Sequence, residues 1–318
     1  MKKTLAILLA VVMLLGAVAA FSSCKKKAEI TIGICQFVQH DALDAATQGF
    51  VDVLKAEFGD RVEIITDVAD ATKDTCITIV NKFVSKKVDL IMANATPALQ
   101  VAADKAGNIP VLGTSVTDYG EAFGIEDFNG TVGGNVSGTS DLAPLVEQAA
   151  MIKDLFPKAK TVSILFTNSE ANSLYQVKIV KAELEKVGIT VDECGFADSN
   201  DVAVAAKKAA QADVIFIPTD NTCASCAGTI EANIGNTPVV AGEEGICSTT
   251  GTVTYTINYY DLGKATGEMA VKILKGEANI SEMPIQKAPA AYKFNADKCA
   301  QVGLDTATLI AKGYTAID

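Results

Sequence analysis

Residues 212–228 read ADVIFIPTDNTCASCAG. The apolar run through Val214 and Ile217 ends at Pro218, a polar turn follows, and a helix-forming stretch begins near Thr222. The pattern is a strand over 212–220 feeding a helix over 222–233. Cys223 and Cys226 form a C-x-x-C pair at the helix start, where the dipole lowers a thiol pKa. Redox chemistry would need a single thioredoxin-sized βαβ unit around that pair. A four-cysteine zinc site would need a second close pair, which Cys35 and Cys247, in other strand-end loops, do not provide. An incidental disulfide or two buried thiols remain for the pair. Thr219, Asp220 and Asn221 are the residues of the turn that could meet a ligand.

The same unit recurs on both sides. Strands are expected at 29–34, 62–67, 88–94 and 109–116, with helices at 41–59, 73–86 and 97–106 between them. Leu43, Ala46, Phe50, Leu54 and Phe58 give the first helix one apolar face. A glycine-rich passage, NGTVGGNVSGTS (129–140), leads to a helix at 143–156. Alternation then restarts with strands at 161–166, 189–196, 212–220 and 237–242 and helices at 172–188, 200–210 and 222–233. A late strand (250–258), a long helix (260–276) and a tail with a strand-like piece and a short helix follow. Repeated β-α alternation predicts parallel sheets with right-handed crossovers. The fold class is α/β, with two doubly wound parallel-sheet lobes. In such sheets ligands sit beyond the carboxyl ends of the strands, so two facing lobes make a cleft.

Composition narrows the function. The 318 residues are 49% hydrophobic and 20% charged, with a net charge of −11, which disfavours nucleic acid as a partner. There is one histidine, His40, so histidine-based metal sites and triads have little to draw on. No P-loop, G-x-S-x-G or zincin motif occurs, and adjacent Glu243 and Glu244 would point different ways. No enzyme activity, cofactor or metal is expected. The start, MKKTLAILLAVVMLLGAVAAFSSC, is an export signal over 1–23, and Cys24, followed by lysines, fits a lipidated tether at 24–28. Phe21 stands where such signals prefer leucine; cleavage after Ala19 or an uncleaved anchor are the alternatives. The other seven cysteines are scattered, and Cys35 and Cys76 lie in apolar surroundings.

The strand-end loops are CQFVQHDA (35–42), ANATPA (93–98) and SVTDYG (115–120) in the first half, and TNSEANS (167–173), PTDNTC (218–223) and AGEEG (241–245) in the second. With IGICQFVQHDALDAATQGF, NVSGTSDL and YYDLGKATGEMAVKILKGE, they resemble, in order and spacing over about residues 30–285, the substrate-binding lipoproteins of ABC importers of the tryptophan/tyrosine type. Asp41 stands where that family often has proline, and the CASC thiols where it has aliphatic residues.

The resemblance implies a type I periplasmic-binding fold with a three-crossing hinge. It assigns 29–139 plus 257–283 to lobe 1 and 140–256 plus 284–318 to lobe 2. It also implies a monomer that captures a small amino-acid-like solute, aromatic by expectation. Its partners would be a permease and an ATPase, and it would be lipid-anchored on the outer face of the cytoplasmic membrane. An extracellular sensor or enzyme on the same scaffold, or a binder of another solute such as a sugar, are the alternatives; the absence of tryptophan disfavours a sugar pocket built on indole stacking.

For an amino acid, Asp220, Glu243 and Asp118 are the candidate acceptors for the ammonium. Thr96, Asn172 and Ser173 at helix starts, assisted by Thr117 and Asn168, are candidates for the carboxylate. Phe37, Pro97 and Tyr259 offer an apolar slot. Gln36, His40, Glu170, Thr219, Asn221 and Gly242 complete the set of loop contacts. Each acid or hydroxyl among them is equally suited to capping a helix or shaping a turn.

Overall fold

The computed structural model describes residues 28–317. The export signal and Cys24 lie outside the described residues. Through the first half the elements are β1 (Ile30–Gln36), α1 (Asp41–Phe58), β2 (Val62–Val68), α2 (Lys73–Lys86), β3 (Leu90–Asn94), α3 (Thr96–Lys105), β4 (Val111–Val116), α4 (Tyr119–Phe123) and β5 (Val136–Ser140). The second half runs α5 (Leu145–Leu155), β6 (Thr161–Thr167), α6 (Ala171–Lys186), β7 (Thr190–Phe196), α7 (Val202–Ala209), β8 (Val214–Ile217), α8 (Asn221–Ser225), α9 (Ala227–Ile234), β9 (Val239–Ala241), α10 (Glu244–Thr249) and β10 (Val253–Ile257). Then come α11 (Tyr259–Leu274), β11 (Gln286–Lys287), β12 (Ala290–Phe294), α12 (Ala296–Val302), α13 (Thr306–Ala311) and β13 (Thr315–Ala316).

Two sheets result. The first has the order β11-β5-β4-β3-β1-β2 and is parallel throughout. The second has the order β13-β12-β10-β9-β8-β6-β7, parallel except where β12 meets β10. Each is doubly wound. The strand order reverses between β1 and β3 in one sheet and between β6 and β8 in the other. Crevices at these reversals are where α/β sheets bind ligands. The chain passes between the sheets after β5, after β10, and between β11 and β12. Gln286 and Lys287 pair with Thr139 and Ser140 in the first sheet, so they do not lie with the second lobe, where the sequence reading puts 284–318.

The central strands are fully buried, as apolar runs covered by helices on both faces must be. Helix α1 buries Leu43, Ala46, Phe50, Leu54 and Phe58, the face expected from its periodicity. Its partner is α11, and the two approach at backbone distance. A Cβ on Gly49 would overlap the Tyr260 carbonyl oxygen, and one on Gly263 would overlap that of Ala46. Glycine is what lets these helices touch.

Two local differences from the expected elements matter. Strand β1 runs to Gln36 rather than ending at Ile34, because Cys35 and Gln36 still pair with Asp67 and Val68. The helix expected over 222–233 is two helices, broken at Cys226, whose N–H is shared by the Thr222 and Cys223 carbonyls.

Candidate functional site

The carboxyl ends of the two sheets face each other across a narrow cavity of about 10 Å3. His40, Leu43, Ser115 and Thr117 line it from the first sheet's side. Asn172, Thr219, Asp220, Asn221, Ala224 and Glu243 line it from the second. Asp141 and Tyr259 come from the first two crossings. A second groove lies on the other side of Tyr259, between the first turn of α1 and α10. It is the wider of the two, but its acids, Asp41 and Glu244, are not buried. The narrow cavity carries the buried chemistry.

Acids dominate that cavity. Asp141 is 2% exposed, and its Oδ2 accepts from the Tyr259 hydroxyl at 2.8 Å. Its Oδ1 is buried with no partner. Burial raises its pKa to about 6 against the hydrogen bond from Tyr259. Glu243 caps α10, accepting from the Gly245 and Ile246 amides, and burial raises it to about 7. Asp220 caps α8 through the Cys223 amide at 2.8 Å and also accepts from Thr167 N–H and Ser173 Oγ, both at 2.7 Å. It too is raised by burial. Behind it Glu170 is raised to about 7 by burial and by the Asp220 charge. Among the described residues that line the cavity there is no lysine or arginine. Buried carboxylates without a cation are costly, and a positive ligand group is the natural compensation.

The model for the family described as ABC transporter substrate binding protein matches residues 31–306. This chain belongs to that family. The binding protein is similar to a tyrosine-binding protein from Clostridioides difficile, with 35% identity over 81% of this chain and 76% of the relative. Its fold is similar to that of a Streptococcus pneumonia ABC domain in complex with L-Trp, with TM-score 0.85, 31% identity, 91% of this chain and 100% of the other. It is also similar to a ligand-free, open substrate binding protein with adhesive properties from Clostridium difficile. There the TM-score is 0.68 at 34% identity, over 91% of this chain and 99% of the other. Sequence identity does not explain that difference in TM-score. The lobes of this binding protein are arranged more as in the L-Trp complex than as in the open protein, and they meet across the cavity. His40 Nε2 meets Asn221 Oδ1 at 3.3 Å across the gap.

The candidate residues divide accordingly. His40, Thr117, Asn172, Thr219, Asp220, Asn221, Glu243 and Tyr259 line the cavity. Gln36 does not: its amide donates to the Val38 carbonyl and Asp44 Oδ1 and its oxygen accepts from Thr47, tying β1 to α1. Phe37 is 4% exposed in the first lobe's core, and Pro97 is buried in the first turn of α3. Asp118 caps α4 by accepting from Glu121 N–H. Asn168 is exposed beside Gly195. Ser173 is spent on Asp220, and Glu170 on the amides of Asn221 and Thr222. Gly242 contributes closeness: a Cβ there would strike the Pro218–Thr219 backbone.

Thr96 and Ser115 stand at neighbouring strand ends, joined by the Ala95 N–H bond to the Thr114 carbonyl. Both hydroxyls are buried without partners. Sequence reasoning missed Leu43, Ser115, Asp141 and Ala224. Asp141 follows the glycine-rich passage directly and is legible only as the polar end of NVSGTSDL. Neither Cys223 nor Cys226 lines the cavity. Cys223 is fully buried, and burial and the Asp220 and Glu170 charges push its pKa well up, against the lowering a helix start would give.

Proposed function

We propose that this protein captures a free aromatic L-amino acid between its lobes and delivers it to an ABC permease energised by a separate ATPase. The observation that carries this is the set of buried carboxylates without a cation, with Asp141 Oδ1 unpartnered among them. A ligand ammonium there would be held by Asp141, with Asp220 and Glu243 adding charge. The Ser115 hydroxyl, which lines the cavity without a partner, would take the ligand carboxylate. The relatives named for tyrosine and solved with L-Trp support the aromatic class. On this reading the protein is a monomeric binder without catalysis. Cys24 carries the lipid on the outer face of the cytoplasmic membrane, and the lobes divide at the three crossings. Calorimetric titration of the mature chain with the twenty common L-amino acids tests it. Tyrosine, tryptophan and phenylalanine are expected to lead, and binding of none of them would defeat it.

Binding should depend on pH in a defined sense. The ligand ammonium favours ionised Asp141 and Glu243, so it takes up the work of deprotonating them below pH 6–7. Affinity is therefore expected to fall, at least tenfold, from pH 8 to pH 5. Without ligand the sign reverses. Both folded pKa values lie above those of the unfolded chain, so these groups contribute stability at acidic pH that is lost as pH rises through 6–7. The ligand-induced rise in melting temperature should thus be larger at pH 8 than at pH 5. An equal rise at both would show that neither acid meets the ammonium.

A further inference from the structure

One atom in the cavity has its hydrogen-bonding role fixed by its neighbours. Both oxygens of Glu170 accept backbone N–H bonds. Oε1 takes Thr222 N–H at 3.0 Å, and Oε2 takes Asn221 N–H at 3.2 Å. Thr222 Oγ1 also donates to Oε1, at 2.9 Å. A carboxylate so placed is an acceptor, so the Asn221 side chain presents its Nδ2 to it, at 2.5 Å. Asn221 Oδ1 must then face the other way, toward His40 Nε2. Nε2 therefore carries the hydrogen, and Nδ1 holds a lone pair. Burial keeps the ring neutral, with its pKa lowered to about 4. Nδ1 is buried and has no partner.

The surroundings indicate which part of a ligand this lone pair would meet. Leu43 and Ala224 are the aliphatic side chains among the described residues lining the cavity. Leu43 lies in the first turn of α1, just after the N-cap residue His40, and Ala224 lies three positions after Asn221 on α8. The apolar part of the cavity is thus built around that pair, whereas Asp141 and Tyr259 come from the crossings. We propose that His40 Nδ1 accepts a hydrogen bond from a donor on the ligand's side chain, a phenol O–H or an indole N–H. The protein thereby selects donor-bearing aromatic amino acids over phenylalanine. This rests on the aromatic amino-acid reading above. A site built around a buried acceptor penalises a ligand that leaves it unpaired, by far more than a missing methylene would.

Calorimetric titration of the wild-type mature chain with L-tyrosine, L-tryptophan and L-phenylalanine is the test. At least one of the first two is expected to bind tenfold or more tighter than phenylalanine. His40→Phe removes the acceptor without removing a cap, since the His40 side chain caps nothing on α1. In that variant the preference should shrink to within threefold. Phenylalanine binding as tightly as both others to the wild type would overturn the proposal, whatever the variant does. A preference kept in the variant would also overturn it, since any loss from breaking the Nε2 contact to Asn221 is shared by all three ligands. If none of the three binds, the aromatic reading fails first. If all three bind without preference, that reading stands and only the role of His40 falls.

Discussion

Asp141→Ala is expected to weaken amino-acid binding by about 2 kcal/mol or more, roughly thirtyfold, in a chain that still folds. Asp141 uses one oxygen on the Tyr259 hydroxyl and leaves the other buried and unpartnered. On the proposed function that second oxygen takes the ligand ammonium. The acid also sits where β5 leaves the first sheet, so it reports on both lobes. Asp141→Asn keeps the shape but turns an amide toward the ammonium, and should lose a similar amount. Without ligand the same change should stabilise the fold, because a desolvated carboxylate disappears. Asp220→Ala is the contrasting variant. Asp220 already holds Thr167, Ser173 and Cys223, so its loss should appear in stability as well as in affinity. Calorimetry paired with chemical denaturation separates the two. An Asp141→Ala affinity within threefold of wild type would hand the ammonium to Asp220.

Gly263→Leu is expected to cost about 4 kcal/mol or more, enough to unfold most of the chain at ambient temperature. A side chain there has no space, because its first carbon already overlaps the Ala46 carbonyl oxygen. Backbone cannot rotate aside as a side chain can. Gly49→Ala on the facing helix should act the same way, through the Tyr260 carbonyl. The control is Gly228→Ala in α9, where an added Cβ meets nothing within 4 Å. It should be neutral or stabilise by up to about 1 kcal/mol, the helix-propensity gain of alanine over glycine. Urea denaturation curves of the three variants check this. A Gly263→Leu midpoint close to wild type would mean that α1 and α11 separate without cost.

The architecture was legible because its signals are local. Apolar runs such as VDLIMAN and TVSILF make strands, and the Leu43–Phe50–Leu54 face makes α1. The site was legible only in part, because polar residues at strand ends serve two masters. Asp118 looks like a ligand acid in sequence and is occupied by Glu121 N–H. Gln36 and Phe37 follow an apolar run, but β1 continues past its expected end and directs them to α1 and to the core. Asp141 escapes a sequence reading because nothing local distinguishes an acid with a free oxygen from an acid at a turn. That distinction needs the partners, and the Tyr259 partner lies on another crossing.

The closed cleft sets a kinetic order. If the protein rests in this conformation, solute reaches the Asp141 oxygen only after the His40–Asn221 contact has parted and the lobes have swung open. The observed affinity is then the intrinsic one reduced by the fraction of molecules standing open. Association should level off at high solute concentration, at a ceiling set by the opening rate. A protein that rests closed would also present its permease with much the same outline whether empty or loaded. The transporter would then have to tell the two apart by how readily the lobes reopen rather than by their shape.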